Sequence, residues 1–322
     1  MHLAVYLPLV IPVLAALAAR PLADRLPPAA ATWLLAGSSL ALAAASSAVL
    51  GLLALTALVR VPPVAAIANM SVAAISRSNT VSLPVAIAAG ALLAAAAAAA
   101  CRALWRRGTA IAAAGRQASR LPGSGQVVVT EDDAADAYTL PGCPCRIVIT
   151  SGMLRALTEP ERKVLVAHER AHAGGSHYLF TSAARLAAAA NPLLRPVAAQ
   201  VGYTVERWAD ERAATAAGDR PLTARAIARA AMASTAAPPD PAGQATALGL
   251  VGGKDAERKE RASLRRAGPV PRRVAALLGP PPRASLLLLA GAVLLVALSG
   301  ASALEAARNL HHLVELAQAA RS

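Results

Sequence analysis

Four stretches of the chain are apolar over the length that a membrane helix requires. They lie at about 3–19, 29–59, 81–101 and 284–304. Each is near or above the roughly 17–25 residues that an α-helix needs to cross the hydrocarbon core of a bilayer. The pattern therefore predicts three membrane spans, a long polar region and one final span.

The first stretch has a second interpretation, as a signal peptide. Ala16-Leu17-Ala18 resembles a cleavage site, but no basic residue precedes the apolar stretch and Arg20 follows it. A secretory signal has the opposite charge order. The order favours a retained helix.

Short alternating segments and helical segments fill the region between the spans. A run of valines predicts a strand at 126–130, and two more short strands are predicted at 137–140 and 146–150, with a hairpin-like turn between the last two. Thr158 and Glu161 have the spacing of a capping box, which predicts a helix that ends near Gly174-Gly175. The region is therefore expected to be one α+β domain.

The second half of this region is predicted to be mostly helical. Residues 178–201 form an alanine- and leucine-rich helix that either packs on the domain or lies at the membrane surface, with a fifth span as the alternative. A helix is expected at 205–217, closed by Gly218, and another after Leu222. A Pro/Gly-rich loop at 236–253 and a charged helix at 254–266 complete the prediction.

Composition and charge place this polar region on one side of the membrane. Hydrophobic residues make up 56% of the 322 residues, which is typical of a membrane protein, and the net charge is +14. Residues 102–283 hold 26 of the 32 Lys and Arg and 15 of the 18 Asp and Glu. By the positive-inside rule, the domain is cytoplasmic and the N-terminus lies outside a plasma or inner membrane. No DNA-binding motif accompanies the charge, so a nucleic-acid partner is not expected.

The same reasoning divides the chain into four regions. They are a membrane region (1–107), a cytoplasmic domain (108–283), a final span (284–304) and a short tail (305–322).

Candidate chemistry is concentrated at His168-Glu169-Arg170-Ala171-His172. On a helix, two histidines four residues apart share a face and can bind one Zn²⁺, while the intervening glutamate reaches the metal-bound water. Zinc lowers the pKa of that water towards about 7, and Glu169 takes its proton during attack on a peptide carbonyl. The motif predicts a zinc endopeptidase that acts on a protein or peptide.

A third ligand is available downstream. Glu206 and Asp210 are four residues apart on a predicted helix, so one carboxylate can complete the zinc shell and the other can orient a ligand histidine. His177 competes with Glu206 as third ligand. Tyr203, Arg207 and His177 are each candidates to stabilise the oxyanion. The predicted fold class is an α-helical membrane protein with a zincin-like α+β metallopeptidase domain.

The stretch 126–215 resembles the BlaR/MecR-like antirepressor membrane metallopeptidases, together with the related HtpX heat-shock peptidase and CAAX prenyl endopeptidases. The resemblance implies zinc at His168, His172 and Glu206, Glu169 as base, and Asp210 behind the ligands. It also implies that an extended substrate pairs with the strand that contains Ala137, Tyr138 and Thr139. Only about eighteen residues follow Leu304, so the resemblance does not extend to an antibiotic-sensor domain. The matching sequences are Asp136-Ala137-Tyr138-Thr139-Leu140-Pro141-Gly142, Ile147-Val148-Ile149-Thr150-Ser151-Gly152-Met153-Leu154, the two histidine and glutamate motifs above, and Arg273-Val274-Ala275-Ala276-Leu277-Leu278.

Two other functions compete with proteolysis. The chain could be a non-catalytic membrane regulator that retains a metal site, or a basic adaptor that uses residues 254–273. The complete ligand set in the sequence favours the peptidase.

Overall fold

A computed structural model describes residues 6–58, 82–142, 145–236, 269–280 and 286–319. The predicted charged helix at 254–266 lies outside the described residues, and so does the predicted loop at 236–253 apart from Ala236. The helices are α1 (Leu7–Arg25), α2 (Pro28–Leu58), α3 (Leu83–Arg120), α4 (Ser151–Ala156), α5 (Glu159–Gly174), α6 (His177–Ala190), α7 (Arg195–Ala217), α8 (Arg220–Ala236), α9 (Pro269–Leu278) and α10 (Leu286–Ala319), and the strands are β1 (Val127–Thr130), β2 (Ala137–Leu140) and β3 (Arg146–Thr150).

Four of these helices are long and apolar enough to cross a membrane. The qualifying segments, among the described residues, are Leu7–Arg25, Pro28–Leu55, Leu83–Arg120 and Leu286–Glu305. They coincide with the four apolar stretches in the sequence. The third helix continues without a break past the predicted domain boundary at 107/108, so the membrane region and the polar domain share one helix.

The three strands form one small sheet in the order β1-β3-β2. Its centre is β3, which is buried along its whole length, pairs in parallel with β1 and pairs antiparallel with β2. Isoleucine and valine favour this position because branched side chains pack well in a buried strand. The second and third strands have the predicted bounds, and the first starts one residue later than predicted. In the described part of the chain, β2 has a strand partner on one side only.

The predicted capping box starts α5. The Thr158 backbone N–H donates to Glu161 Oε2 at 2.9 Å, and the Thr158 hydroxyl donates to the same oxygen at 2.7 Å. The helix ends at Gly174 and is capped by Gly175, as predicted. Both ends of the helix that contains the histidine motif are therefore fixed by local sequence.

The prediction of one helix over 178–201 is wrong. That segment contains the end of α6, a 3₁₀ turn at Pro192–Leu194 and the start of α7. The break occurs because Pro192 cannot continue the hydrogen-bond ladder, and the Asn191 side chain accepts the backbone N–H of Leu193 at 3.1 Å. The helix predicted at 205–217 therefore begins ten residues earlier, and no fifth helix that is both long and apolar enough to cross a membrane is found among the described residues.

The largest hydrophobic cluster joins the first two apolar helices to α6 and α7. Its fully buried members include Leu26, Leu42, Ala187, Val197 and Val201. Polar contacts reinforce it, since the Thr32 hydroxyl donates to Thr204 Oγ1 at 2.9 Å. The N-terminal half of α7, which precedes Glu206, therefore packs directly on the apolar helices.

The last turn of α1 also contacts the polar domain. Arg207 Nη1 donates to the Ala23 carbonyl at 2.6 Å, and Arg272 Nη2 lies 2.6 Å from Asp24 Oδ1. The end of the first apolar helix and the polar domain are thus joined by a hydrogen bond and an ion pair.

Candidate metal centre

Three predicted ligands meet between α5 and α7. His168 and His172 lie one turn apart on α5, and their Nε2 atoms are 3.1 Å apart. Glu206 on α7 places Oε2 3.7 Å from His168 Nε2 and Oε1 3.5 Å from His172 Nε2. One donor atom from each residue lies within 4.8 Å of the others, so this trio could hold a metal ion.

The spacing of these donors fits a zinc ion. Bonds of about 2.0–2.2 Å to a tetrahedral Zn²⁺ separate its ligand atoms by roughly 3.3–3.6 Å. The measured separations of 3.1, 3.5 and 3.7 Å bracket that range. Two histidines and one carboxylate form a donor set that leaves a fourth position open, which is typical of catalytic rather than structural zinc.

The electrostatics of the trio favour a cation. Burial raises the pKa of Glu206, but Arg273 and His172 outweigh it and hold the pKa well below its usual range. Burial lowers the pKa of His168, but Asp210 and Glu206 outweigh it and raise that pKa to about 10. Burial lowers the pKa of His172 to about 3, so its imidazole is neutral at pH 7 and available as a ligand. Carboxylates surrounding His168 thus stabilise a positive charge, which a metal ion would supply in place of the proton.

Asp210 and Arg273 form a second layer behind the ligands. Asp210 is 1% exposed, and its Oδ1 lies 3.1 Å from His168 Nδ1, as predicted for a residue that orients the ligand. Arg273 donates to both oxygens of Asp210, from Nε at 2.7 Å and from Nη2 at 2.6 Å. Its Nη1 lies 3.0 Å from Glu206 Oε2. One guanidinium group therefore contacts the carboxylates of both Glu206 and Asp210.

No role was predicted for Arg273, although it is the first residue of Arg273-Val274-Ala275-Ala276-Leu277-Leu278, one of the sequences that carry the resemblance. The sequence around Arg273 does contain a pattern that predicts a helix. Val270, Val274 and Leu277 follow a helical spacing and pack into one cluster, so α9 and the inward face of Arg273 could have been predicted. The prediction did not extend to this segment, and its contact with α7 joins residues 63 positions apart.

Glu169 is held at the cavity wall by the edge strand. Its carboxylate is buried, and the Thr139 hydroxyl donates to Oε2 at 2.9 Å, with the Glu169 backbone carbonyl 3.1 Å from the same hydroxyl. Burial raises the pKa of Glu169 to about 7, although His168 and the Thr139 hydrogen bond oppose the rise. A carboxylate with that pKa can both accept and return a proton near neutral pH.

His177 lies behind His172, outside the trio of donors. The two Nδ1 atoms are 3.0 Å apart, and the His177 ring stacks on Trp208 with centroids 4.7 Å apart. Burial lowers the pKa of His177 to about 4, so its ring is neutral at pH 7. The structure therefore brings Glu206, and not His177, to the third ligand position.

The residues around this histidine leave no room for a side chain at Gly175. A Cβ atom there would lie 2.4 Å from His177 Nε2, whereas a Cβ at Gly174 would meet nothing within 4 Å. His177 is thus packed against the end of α5, directly behind a predicted ligand.

A cavity of about 460 Å³ opens in front of the donors. Some of the other predicted site residues line this cavity, and others do not. Ala137, Tyr138 and Thr139 line it, and so does Tyr203. Arg207 does not line it among the described residues, because its guanidinium faces α1 and is only 3% exposed. The prediction that Arg207 stabilises an oxyanion is therefore corrected, whereas the other two candidates, His177 and Tyr203, both line the cavity.

Comparison with known proteins indicates the family of the chain. Residues 102–280, more than half of the chain, match the model of peptidase family M48. No curated protein and no solved structure matches the chain. The match confirms the metallopeptidase part of the resemblance, while the antirepressor, heat-shock and prenyl-peptidase branches stay predictions. The matched segment contains the trio that could hold a metal ion, and the chain belongs to peptidase family M48, a family of metallopeptidases.

Proposed function

We propose that this chain is a membrane-bound zinc endopeptidase whose metal is held by His168, His172 and Glu206. The convergence of these three donors on one point beside the buried carboxylate of Glu169 carries the proposal. Asp210 orients His168 from behind, and Arg273 holds Asp210 and Glu206 in place.

The catalytic step follows from the position of the chain's own groups. When bound, zinc supplies a Lewis acid and lowers the pKa of water. Glu169 accepts a proton from the attacking water on its carboxylate and then delivers it to the leaving amine. The Thr139 hydroxyl keeps the carboxylate oriented through its 2.9 Å hydrogen bond. Tyr203 faces the cavity and is our candidate for stabilising the oxyanion.

The substrate is proposed to bind as an added strand. Ala137, Tyr138 and Thr139 line the cavity, and β2 is an edge strand of the described sheet, so an extended peptide that pairs with β2 would pass in front of the donors. A cleft open along a strand edge suits cleavage within a chain. The proposed activity is therefore that of an endopeptidase.

The four apolar helices support a multi-pass membrane location. Contacts between the last turn of α1 and the polar domain, together with the excess of basic residues in 102–283, support a cytoplasmic site with the N-terminus outside. The proposed substrate is a cytosolic or membrane-adjacent protein, and the resemblance suggests a transcriptional repressor as one example.

The test compares metal content and cleavage in matched variants purified in detergent. Wild type is expected to hold about one zinc ion per chain and to cleave casein. Glu169→Gln should keep the metal and lose roughly 10²–10⁴-fold in rate. Glu159→Gln is the control, because that carboxylate lies on the same helix with its side chain 67% exposed.

His168→Ala should lose both metal and activity. Equal cleavage rates in wild type and Glu169→Gln would overturn the enzymatic proposal. Stoichiometric zinc with no cleavage of any substrate would instead support a non-catalytic regulator.

A further inference from the structure

A second, smaller cavity adjoins the cavity in front of the metal donors. Its volume is about 150 Å³. Among the residues that the structure describes, the ones that line both cavities are Ala137, His168, Glu169, Glu206 and Arg273. The two cavities therefore meet at the proposed metal site, and a group that enters the smaller one passes beside the proton-transfer residue Glu169.

The wall of the smaller cavity away from the donors is almost entirely apolar. Part of it comes from α4 and α5, through Met153, Val164 and Leu165. The rest is one face of α8, because its lining residues follow a helical spacing: Ala226, Ile227, Ala230, Ala231 and Ser234. In the described part of the chain, the charged residues of this cavity are those it shares with the larger one, and Arg273 is already paired with both acids of α7. This wall therefore favours an apolar ligand.

The helix that forms this wall is fixed to the helix that contains the histidine motif. Arg229 on α8 donates from Nη1 to Glu161 Oε2 at 2.7 Å, and Glu161 is only 3% exposed. Ala226 packs with Val164 and Ala213 in one buried cluster. The protein's own packing therefore sets the shape of the cavity, as in other pre-formed binding pockets.

An extended peptide paired with β2 would place one side chain in this cavity. Ala137, the first residue of β2, lines both cavities. Side chains of an extended chain point alternately to opposite sides, so the two residues that flank the cleaved bond point in opposite directions. One of the two can therefore enter the small cavity while the other points away from it.

We propose that the small cavity is a specificity pocket for one of the two residues that flank the cleaved bond, and that α8 sets the size of the side chain it accepts. This inference rests on the proposed peptidase function. An apolar cavity of about 150 Å³ can hold a molecule as large as benzene. The pocket thus accepts an aliphatic side chain or a single aromatic ring. It is too small for the bicyclic ring of tryptophan, and its wall offers no partner for the charge of aspartate or lysine.

The experiment is a scan of side-chain size in a peptide substrate. A short fluorogenic peptide that wild type cleaves is mapped by mass spectrometry, and each residue that flanks the cleaved bond is replaced in turn by Ala, Leu, Trp, Asp or Lys. Full-length, zinc-loaded protein in detergent is assayed for kcat/KM on each peptide. At one of the two positions, wild type is expected to prefer Leu over each of the others by about tenfold or more, because one methylene in an apolar pocket changes kcat/KM by about 10–200-fold.

Variants of α8 test whether this pocket is the cause. Ala230→Leu fills the pocket, so kcat/KM for the Leu peptide should fall by about tenfold or more while cleavage of the Ala peptide is retained. Ile227→Ala enlarges the pocket and should raise kcat/KM for the Trp peptide by about tenfold. Ala228→Leu is the matched control, because this residue is on the same helix and lines neither cavity. Zinc content and circular dichroism of each variant check that it is folded.

The outcomes separate this inference from the proposed function. Zinc-dependent cleavage with no preference at either flanking residue would overturn the specificity pocket and leave the peptidase proposal intact. A leucine preference that stays unchanged in folded, zinc-loaded Ala230→Leu and Ile227→Ala would also overturn it, because another surface would then be the cause. A wild-type protein that holds zinc and cleaves no peptide would overturn the peptidase proposal itself, and the inference with it.

Discussion

Substitution of Asp210 by asparagine is the sharpest test of how the metal site is held. Asp210 receives three contacts, from His168 Nδ1 at 3.1 Å, Arg273 Nε at 2.7 Å and Arg273 Nη2 at 2.6 Å. Every one of these neighbours can donate a hydrogen bond. An ionised carboxylate accepts on both oxygens, whereas an amide has one acceptor and one donor group. Asp210→Asn keeps the shape but must direct its NH₂ group at another donor.

The magnitude follows from burial. With Asp210 1% exposed, water cannot replace the lost acceptor, and a buried unsatisfied group costs about 1–3 kcal/mol. Loss of a group that orients a ligand histidine typically lowers metal affinity by about 10–100-fold. That corresponds to roughly 1.4–2.8 kcal/mol of binding free energy. We therefore expect zinc affinity to fall by one to two orders of magnitude.

The assay is competition for zinc between the purified protein and a chromogenic chelator. Circular dichroism of the same samples checks that helix content is retained. Glu211→Gln is the matched control, because this acid is on the same helix and pairs with Arg220, outside the cavity. A folded Asp210→Asn protein whose zinc affinity stays within about twofold of wild type would refute the assigned role.

Three further outcomes are expected. Gly175→Ala should destabilise the fold by about 1–3 kcal/mol and weaken metal binding, because its methyl group would lie 2.4 Å from His177 Nε2. Gly174→Ala is the control and should change neither stability in a denaturation titration nor metal binding in a chelator titration. Because the pKa of His168 in the metal-free protein is about 10, zinc binding at pH 7 should release about one proton, and the affinity for zinc should increase as pH rises. Calorimetry in two buffers of different protonation enthalpy measures the number of protons released, and a release of zero contradicts the prediction. Glu161→Ala should cost about 1–2 kcal/mol of unfolding free energy because it removes the capping contact at the start of α5, and an unchanged denaturation midpoint would argue against that.

Local signals in the sequence were sufficient for the elements around the histidine motif. The capping box at Thr158 and the glycines at the other end define α5, and the continuous run of β-branched residues from Ile147 to Thr150 defines β3. Four apolar stretches of membrane length likewise correspond to four long helices. In each case the relevant physics acts between residues close in sequence, so pattern alone is informative.

Contacts between distant segments were not predictable in the same way. Thr139 contacts Glu169 across 30 positions, and nothing in the local pattern of β2 indicates that its hydroxyl supports a proton-transfer residue. Arg207 was misassigned for the same reason. Its neighbour Glu206 suggested a place in the site, but the helical twist of about 100° between adjacent residues directs Arg207 towards Ala23.

The contact between Arg207 and the Ala23 carbonyl has a practical consequence for anyone who works with this protein. The segment that matches the peptidase family begins at residue 102, yet the guanidinium adjoining Glu206 has its acceptor in the first helix of the chain. A fragment trimmed to the family boundaries would leave this buried charge without its acceptor and would uncover the apolar face of α7. Inhibitor screens and crystallisation trials therefore need a polypeptide that includes α1, because removal of that helix is expected to destabilise α7, which carries Glu206.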